Sequence, residues 1–243
     1  MQKFKYLLVL LFLQFAIAGN AQMPDAYSYS KEFKYGINKN TYGGLIGGIM
    51  MKRSLAVSSR MFTTYGVELI NITHPLEYPT TSRSTGNIYK FGKMNTLHVI
   101  RPQYGRDVIL FRKAPQQGAQ IIAMLAVGPS FGIVAPYYLD TGEASGPVPY
   151  DPNNPNHTNN NPNQILGTGG VLQGVLDDPN IVLGSHVKVG LSFEFGVFKK
   201  NVTGFEVGFL MDGYTKEIEI IDGAKPLQFL PTSFLTVFWG TRK

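Results

Sequence analysis

Residues 186–221 read HVKVGLSFEFGVFKKNVTGFEVGFLMDGYTKEIEII, two alternating runs joined by a basic turn at Lys199, Lys200 and Asn201. Before the turn Val187, Val189, Leu191, Phe193, Phe195 and Val197 hold every odd position, with His186, Lys188, Gly190, Ser192, Glu194 and Gly196 between them. After it Phe205, Val207, Phe209 and Met211 are odd again, with Glu206, Gly208 and Asp212 between. A strict period of two with one purely apolar face describes a strand whose faces meet different surroundings. A soluble sandwich would carry long solvated side chains on the polar face. Here that face holds glycine, serine and isolated charges, which suits the crowded inside of a small barrel. Apolar outside and small or charged inside is the mark of a transmembrane β-strand.

The same pattern recurs along the chain. Phe33, Tyr35 and Ile37 alternate with Lys34, Gly36 and Asn38; Leu45, Ile49 and Met51 with Gly44, Gly48 and Lys52; Tyr65, Val67 and Leu69 with Gly66 and Glu68. A fourth strand spans residues 93–111, with a bulge expected in its polar middle, 101–107. A fifth carries Ile121, Ala123, Leu125, Val127, Phe131 and Ile133, and Pro129 within it must not donate to the ladder. The last runs over residues 227–242 and contains Phe234, Leu235, Val237, Phe238 and Trp239. Eight strands, an even number, can close an all-β antiparallel barrel and satisfy every backbone donor and acceptor in lipid.

Residues 1–21 combine the basic Lys3 and Lys5, an apolar run and a small-residue site ending at Ala21. They read as a secretory signal peptide, leaving 22–243 as the barrel. The apolar run is shorter than the ~20 residues a spanning helix needs. The chain of 243 residues has no cysteine, so it offers no disulfide framework and no thiolate metal site. Its formal charge is +6, and without Lys3 and Lys5 it is +4, with the cations scattered. That distribution gives no nucleic-acid stripe.

Parity places Lys34, Lys52, Glu68, Arg101, Asp107, Lys188, Glu194, Glu206, Asp212 and Lys216 in the lumen, five basic and five acidic. An eight-stranded barrel is only wide enough for side chains to fill, so these read as an ion-paired plug, with a narrow polar path as the competing reading. The connections sort in part: the second, fourth and sixth are short, the third and the fifth, 141–185, are long, and the first and seventh are short too. Short periplasmic turns and long extracellular loops are the outer-membrane arrangement. The stretch 147–163 is almost all Pro, Asn and Asp and reads as irregular. Leu166, Val171, Leu172, Val175 and Leu176 form an apolar patch with near-helical spacing, a candidate partner-binding face.

Other chemistry is thin. His74, His98, His157 and His186 lack a serine or carboxylate at diagnostic spacing, and no nucleophile signature is present. Asp151, Asn153 and Asn154 with Asp177 and Asp178 lack the glutamate and glycine of a calcium loop. Gly167, Gly169 and Gly170 have no lysine after them to make a phosphate loop. No catalytic set, metal or cofactor is therefore expected.

The parity pattern, together with the stretch RPQYGRDVILFRK at 101–113, resembles small eight-stranded outer-membrane barrels of Bacteroidota, broadly like the secretion-associated PorT barrels. The resemblance covers the mature chain and is architectural. Such barrels usually end on an aromatic residue, whereas this chain ends Phe238-Trp239-Gly240-Thr241-Arg242-Lys243. The resemblance implies a non-enzymatic accessory subunit of an outer-membrane assembly or secretion machine, in contact with lipid and other envelope proteins. The alternative is a membrane-embedded barrel enzyme or a carrier of small hydrophobic ligands.

Overall fold

The structure is a computed structural model and describes residues 29–44, 46–112, 118–158, 164–170, 173–195 and 200–243. The expected signal peptide, Leu45, Val171 and Leu172 lie outside the described residues. Eight strands form one closed antiparallel barrel: β1 (Lys31–Asn40), β2 (Gly48–Ala56), β3 (Met61–Ile72), β6 (Asn95–Phe111), β7 (Gln120–Pro136), β11 (Asn180–Phe195), β12 (Asn201–Ile218) and β13 (Leu227–Arg242). Each pairs with its neighbours in sequence, and β1 pairs with β13 from Glu32↔Arg242 to Asn40↔Phe234 to close the ring.

Alternation follows the pleat. In β1 the residues Phe33, Tyr35 and Ile37 are exposed, while Glu32, Lys34, Asn38 and Asn40 are buried. The outward set continues through Ile49, Met51, Tyr65, Leu69, Leu125, Val127, Val187, Val189, Val207, Phe209, Leu235 and Trp239. No aqueous fold leaves so continuous an apolar exterior, and a closed barrel with that exterior spans lipid. Aromatic contacts on this exterior include Tyr35 with Trp239 and Tyr65 with Tyr104. Gly190 and Gly208 face each other across β11 and β12. A Cβ on Gly190 would lie 3.2 Å from the Phe234 ring, so the paired glycines make room for that inward aromatic.

Two expectations about the strands need correction. The segment 101–107 carries no bulge: Arg101, Gln103, Gly105 and Asp107 stay inward without a break. The register of β6 against β7 slips instead between Ile109 and Phe111. Its ladder lacks pairs between Ile100↔Phe131 and Tyr104↔Val127, the interval holding Pro102 and Pro129, neither of which has an N–H to give. The fifth connection ends at 179, not 185, because β11 already begins at Asn180. Ile181 and Leu183 point outward and Val182 inward, so both faces are apolar there and no alternation is visible.

That last point is general. The lumen is apolar at the loop end, where Ile70, Ile72, Leu97, Val99, Val134, Val182, Tyr214, Ile218, Ile220 and Leu230 pack together. The polar-inside rule holds below this layer, down to a second buried apolar cluster of Phe62, Ile109 and Ile122 at the short-turn end. Lys216, expected in the lumen, is exposed. It lies where the β12–β13 register breaks between Gly213 and Ile218, so parity no longer assigns its face.

The odd-numbered connections gather at one end and the even-numbered ones at the other. At the first end, β4 (Pro79–Thr81) and β5 (Ile88–Lys90) form a hairpin, and β8 (Tyr138–Asp140) lies between β9 (Val148–Pro149) and β10 (Gly167–Thr168). Two short helices, α1 (Pro155–Thr158) and α2 (Gln173–Asp177), complete this cap. The stretch expected to be irregular thus contributes a strand and a helical turn among its described residues.

Replacing Phe209, at the middle of the eighteen-residue β12 and exposed on the outer face, with Lys should cost about 2–4 kcal/mol. Urea titration of refolding into vesicles measures the loss; an unchanged midpoint would place Phe209 off the lipid face.

Candidate functional site

The lumen is filled by three successive ionic clusters, running from the short-turn end toward the apolar layer. In the first, Lys34 Nζ lies 2.6 Å from Glu194 and 2.9 Å from Glu32. Arg242 donates to Glu32 at 2.6 Å and also to Glu194, whose second oxygen accepts from Gln120 as well. In the second, Lys52 bridges Asp107 at 3.0 Å and Glu206 at 2.8 Å. In the third, Lys188 pairs with Glu68, and Arg101 grips Asp212 through two nitrogens. The side chains come from all eight barrel strands, β7 contributing Gln120, so the clusters tie the ring together across its middle. No member is more than 7 % exposed.

The nine other lumen residues named from parity are all here; Glu32 and Arg242 were missed. Each sits at a strand end, Glu32 second in β1 and Arg242 last in β13, where too few alternating neighbours remain to show a period. With Lys216 removed and these two added, the described lumen holds five strong cations against six carboxylates. Lys34 and Lys188 also lie over the Phe238 and Phe234 rings, at 4.6 and 4.2 Å from the centroids. Their aliphatic stems and charged heads are thus both satisfied inside a space with no room for bulk water.

His186 meets a serine and a carboxylate that sequence spacing did not reveal. Ser130 Oγ donates to Asp212 at 2.9 Å and lies 3.1 Å from His186 Nδ1. The hydroxyl has a single hydrogen, already given to Asp212, so Nδ1–H donates to Ser130 Oγ. A hydrolytic triad places the histidine between acid and hydroxyl. Here the serine stands in the middle, and the histidine feeds it a hydrogen bond instead of taking its proton.

The cap is a second polar assembly. Tyr89, Leu139, Tyr150 and Ile165 form its buried apolar centre, flanked by Phe91, Met94 and Tyr137. Backbone bonds stitch the connections together: Met94 N–H to Ile220 O at 2.9 Å, Asp222 N–H to Gly92 O at 2.8 Å, and Tyr150 N–H to Tyr137 O at 2.8 Å. Asn87 Nδ2 donates to the Leu166 carbonyl at 3.1 Å, and the Tyr150 hydroxyl donates to Asp222 at 3.0 Å. Of the five apolar residues expected to face a partner, three are described: Leu166 is half-buried against Gly142, Val175 is half-buried, and Leu176 is exposed. Gly174 beside them sits tight on β7; a Cβ there would lie 2.1 Å from the Pro136 carbonyl oxygen.

Glu77 clasps the hairpin by accepting from Lys90, from Lys93 at 3.0 Å, and from the His74 N–H at 2.9 Å. Burial pushes the Glu77 carboxyl up, but Lys93, Lys90 and the His74 N–H outweigh it and hold it below the ordinary value. For Lys93 the balance is reversed: burial outweighs its one carboxylate partner and lowers it to about 8. The two directions differ because the carboxylate collects three donors and the ammonium a single acceptor.

Beside this clasp is a cavity of about 270 Å³, lined by residues that include Asn71, Tyr89, Lys90, Lys93, His98 and Tyr137. His74 and His157 lie elsewhere in the cap, with their Nδ1 atoms accepting from the Leu76 and Asp151 N–H groups. The Asp151 carboxylate accepts from Asn153 within its own turn. Among the described residues no group of three or more His, Asp or Glu is arranged to hold a metal ion.

No family model and no curated protein matches the chain. Solved structures resemble it in fold. Neisserial surface protein A aligns with a TM-score of 0.40 at 8 % identity, covering 90 % of this chain and 100 % of that one. Ail, the attachment invasion locus protein of Yersinia pestis, aligns in its complex with the heparin analogue sucrose octasulfate with a TM-score of 0.38 at 8 % identity, covering 88 % and 97 %. Both are small eight-stranded outer-membrane β-barrels. The likeness is in barrel architecture, which the strand order here establishes by itself.

Lys52 is the ion-pair partner of both Asp107 and Glu206. Lys52→Met therefore strands two buried carboxylates and should destabilise the barrel by about 3–5 kcal/mol. Heat-modifiability on gels and urea midpoints report it; wild-type stability would show that these charges do not hold the lumen together. The Glu77 clasp should respond to acid. Its folded value lies below the unfolded one, so its contribution is present at neutral pH and lost as the pH falls below about 4. Amide exchange of the β4–β5 hairpin should then rise through that range beyond its intrinsic pH dependence, and Glu77→Gln should abolish the step.

Proposed function

We propose that this chain is a non-conducting outer-membrane barrel, a lipid-embedded base that displays a folded cap at one rim to other envelope proteins. On this reading it is an accessory subunit of an outer-membrane assembly or protein secretion machine, related in kind to the PorT-like barrels of Bacteroidota. The cap faces the cell exterior, the short turns face the periplasm, and residues 1–21 are a leader removed on export. The barrel catalyses no reaction.

The observation that carries the reading is the contrast between the two polar assemblies. The lumen spends its charges on one another and on ring faces, within a cross-section that eight strands leave only wide enough for side chains. Such an interior serves cohesion, and breaking any pair costs stability. The cap is different. It has its own apolar centre, its own small sheets and an exposed apolar residue, Leu176, at 80 % on α2. Loops of this length in a compact domain usually carry function. The reversed Ser130–His186–Asp212 order favours this reading over the enzymatic alternative, because it gives the serine no histidine base and the carboxylate it donates to is held by Arg101.

Deletion of residues 147–176 tests the assignment. The strands β7 and β11 stay intact, and the remaining residues still bridge these neighbours, so a folded, heat-modifiable barrel is expected. Proteins that co-purify with the intact chain in detergent should be lost from the deletion variant. Recovery of the same proteins in the same ratio would move the functional surface away from this connection.

A further inference from the structure

We infer that the 270 Å³ cavity at the base of the cap binds the phosphate of an anionic membrane-lipid headgroup. The inference rests on the barrel's residence in a bilayer and is independent of the identity of any protein partner.

The cavity's position comes first. Asn71 and His98 are directly paired across the β3–β6 ladder, and both belong to the outward-facing register, as does Thr96. These three, with Ala135 and Pro136, make the barrel side of the cavity, so it lies against the lipid-facing surface at the rim and not over the lumen. The hairpin residues Ile88, Tyr89 and Lys90 and the segment Thr168, Gly169, Gly170 and Gly174 make the cap side. Ile88 is 66 % exposed, and Leu76 and Tyr78 in the same connection are also exposed. Apolar residues stand outside a polar cavity, which is the polarity order of a lipid at the interface.

Its chemistry comes second. Two lysines and a histidine line it, and none of the lining residues is a carboxylate. Glu77 pairs with both lysines, one carboxylate against two ammonium groups. On the cap side the Tyr138 hydroxyl donates to Asp177, with Asp178 nearby. Tyr89 is 1 % exposed, and its hydroxyl has no hydrogen-bond partner; His98 Nε2 is buried in the same condition. An unpaired buried hydroxyl costs free energy that an acceptor would recover. A phosphate oxygen supplies the acceptor for Tyr89 and the charge for the lysines at once. Phosphate alone would satisfy the donors, but only a lipid also covers Ile88, Leu76 and Tyr78.

Native mass spectrometry of the full chain released from nanodiscs of equal phosphatidylglycerol and phosphatidylcholine tests this. A retained phosphatidylglycerol adduct is expected, preferred over phosphatidylcholine and not displaced by added inorganic phosphate. Lys90→Gln/Lys93→Gln should reduce that adduct at least fivefold. Tyr89→Phe, which removes a single oxygen and leaves the clasp intact, should reduce it about threefold. Heat-modifiability confirms that each variant is folded, and its loss in the wild-type chain would instead count against membrane residence. Equal retention by wild type and the Tyr89→Phe variant, no preference between lipids, or displacement by inorganic phosphate would each overturn the proposal.

Discussion

The constraint behind everything else is that a strand crossing hydrocarbon has no water to satisfy its backbone. The pairing of β1 with β13 removes the last open edge, and the carbonyl of Lys243 accepts from the Ser30 and Lys31 N–H groups to finish the seam. Once the ring closes at eight strands, its bore is fixed by geometry. The interior then has to be filled by side chains, and the exterior has to be apolar. The alternation along every strand expresses both demands together.

Filling such a bore with charge carries a risk, since each ion brought inside must recover its lost hydration. The clusters meet it by sharing. Glu194 serves Lys34, Arg242 and Gln120; Lys52 serves two carboxylates; Asp212 receives both Arg101 and Ser130. The partners come from strands distant in sequence, Lys34 and Glu194 being 160 residues apart. Charge therefore acts here as a set of cross-braces that pins register around the ring. Above it the apolar layer from Ile70 to Leu230 takes over, and the cap connections anchor there.

Much of this was legible in the chain because a β-barrel writes its two faces at a period of two. Val187 to Phe195 and Phe205 to Met211 show the faces plainly, and the inward Lys188, Glu194, Glu206 and Asp212 follow. The rest was hidden for physical reasons. Val182, Leu97 and Ile218 enter an apolar part of the lumen, so neighbouring apolar residues on both faces erased the alternation. Glu32 and Arg242 lie at strand ends. Lys216 falls in a register break, where parity says nothing. The cap depends on bonds such as Met94 to Ile220 and Asn87 to Leu166, between segments with no common period. The meeting of Ser130, His186 and Asp212 likewise depends on three strands coming into register.

An eight-stranded lumen filled by these ion pairs is a plug. Single-channel recording of the purified chain in planar bilayers tests this most directly. A folded, inserted barrel with no steady conductance above the bare bilayer is the predicted result. Stable unit conductance steps from the heat-modifiable form would contradict it, because ions would then be crossing a space that the three clusters are held to fill.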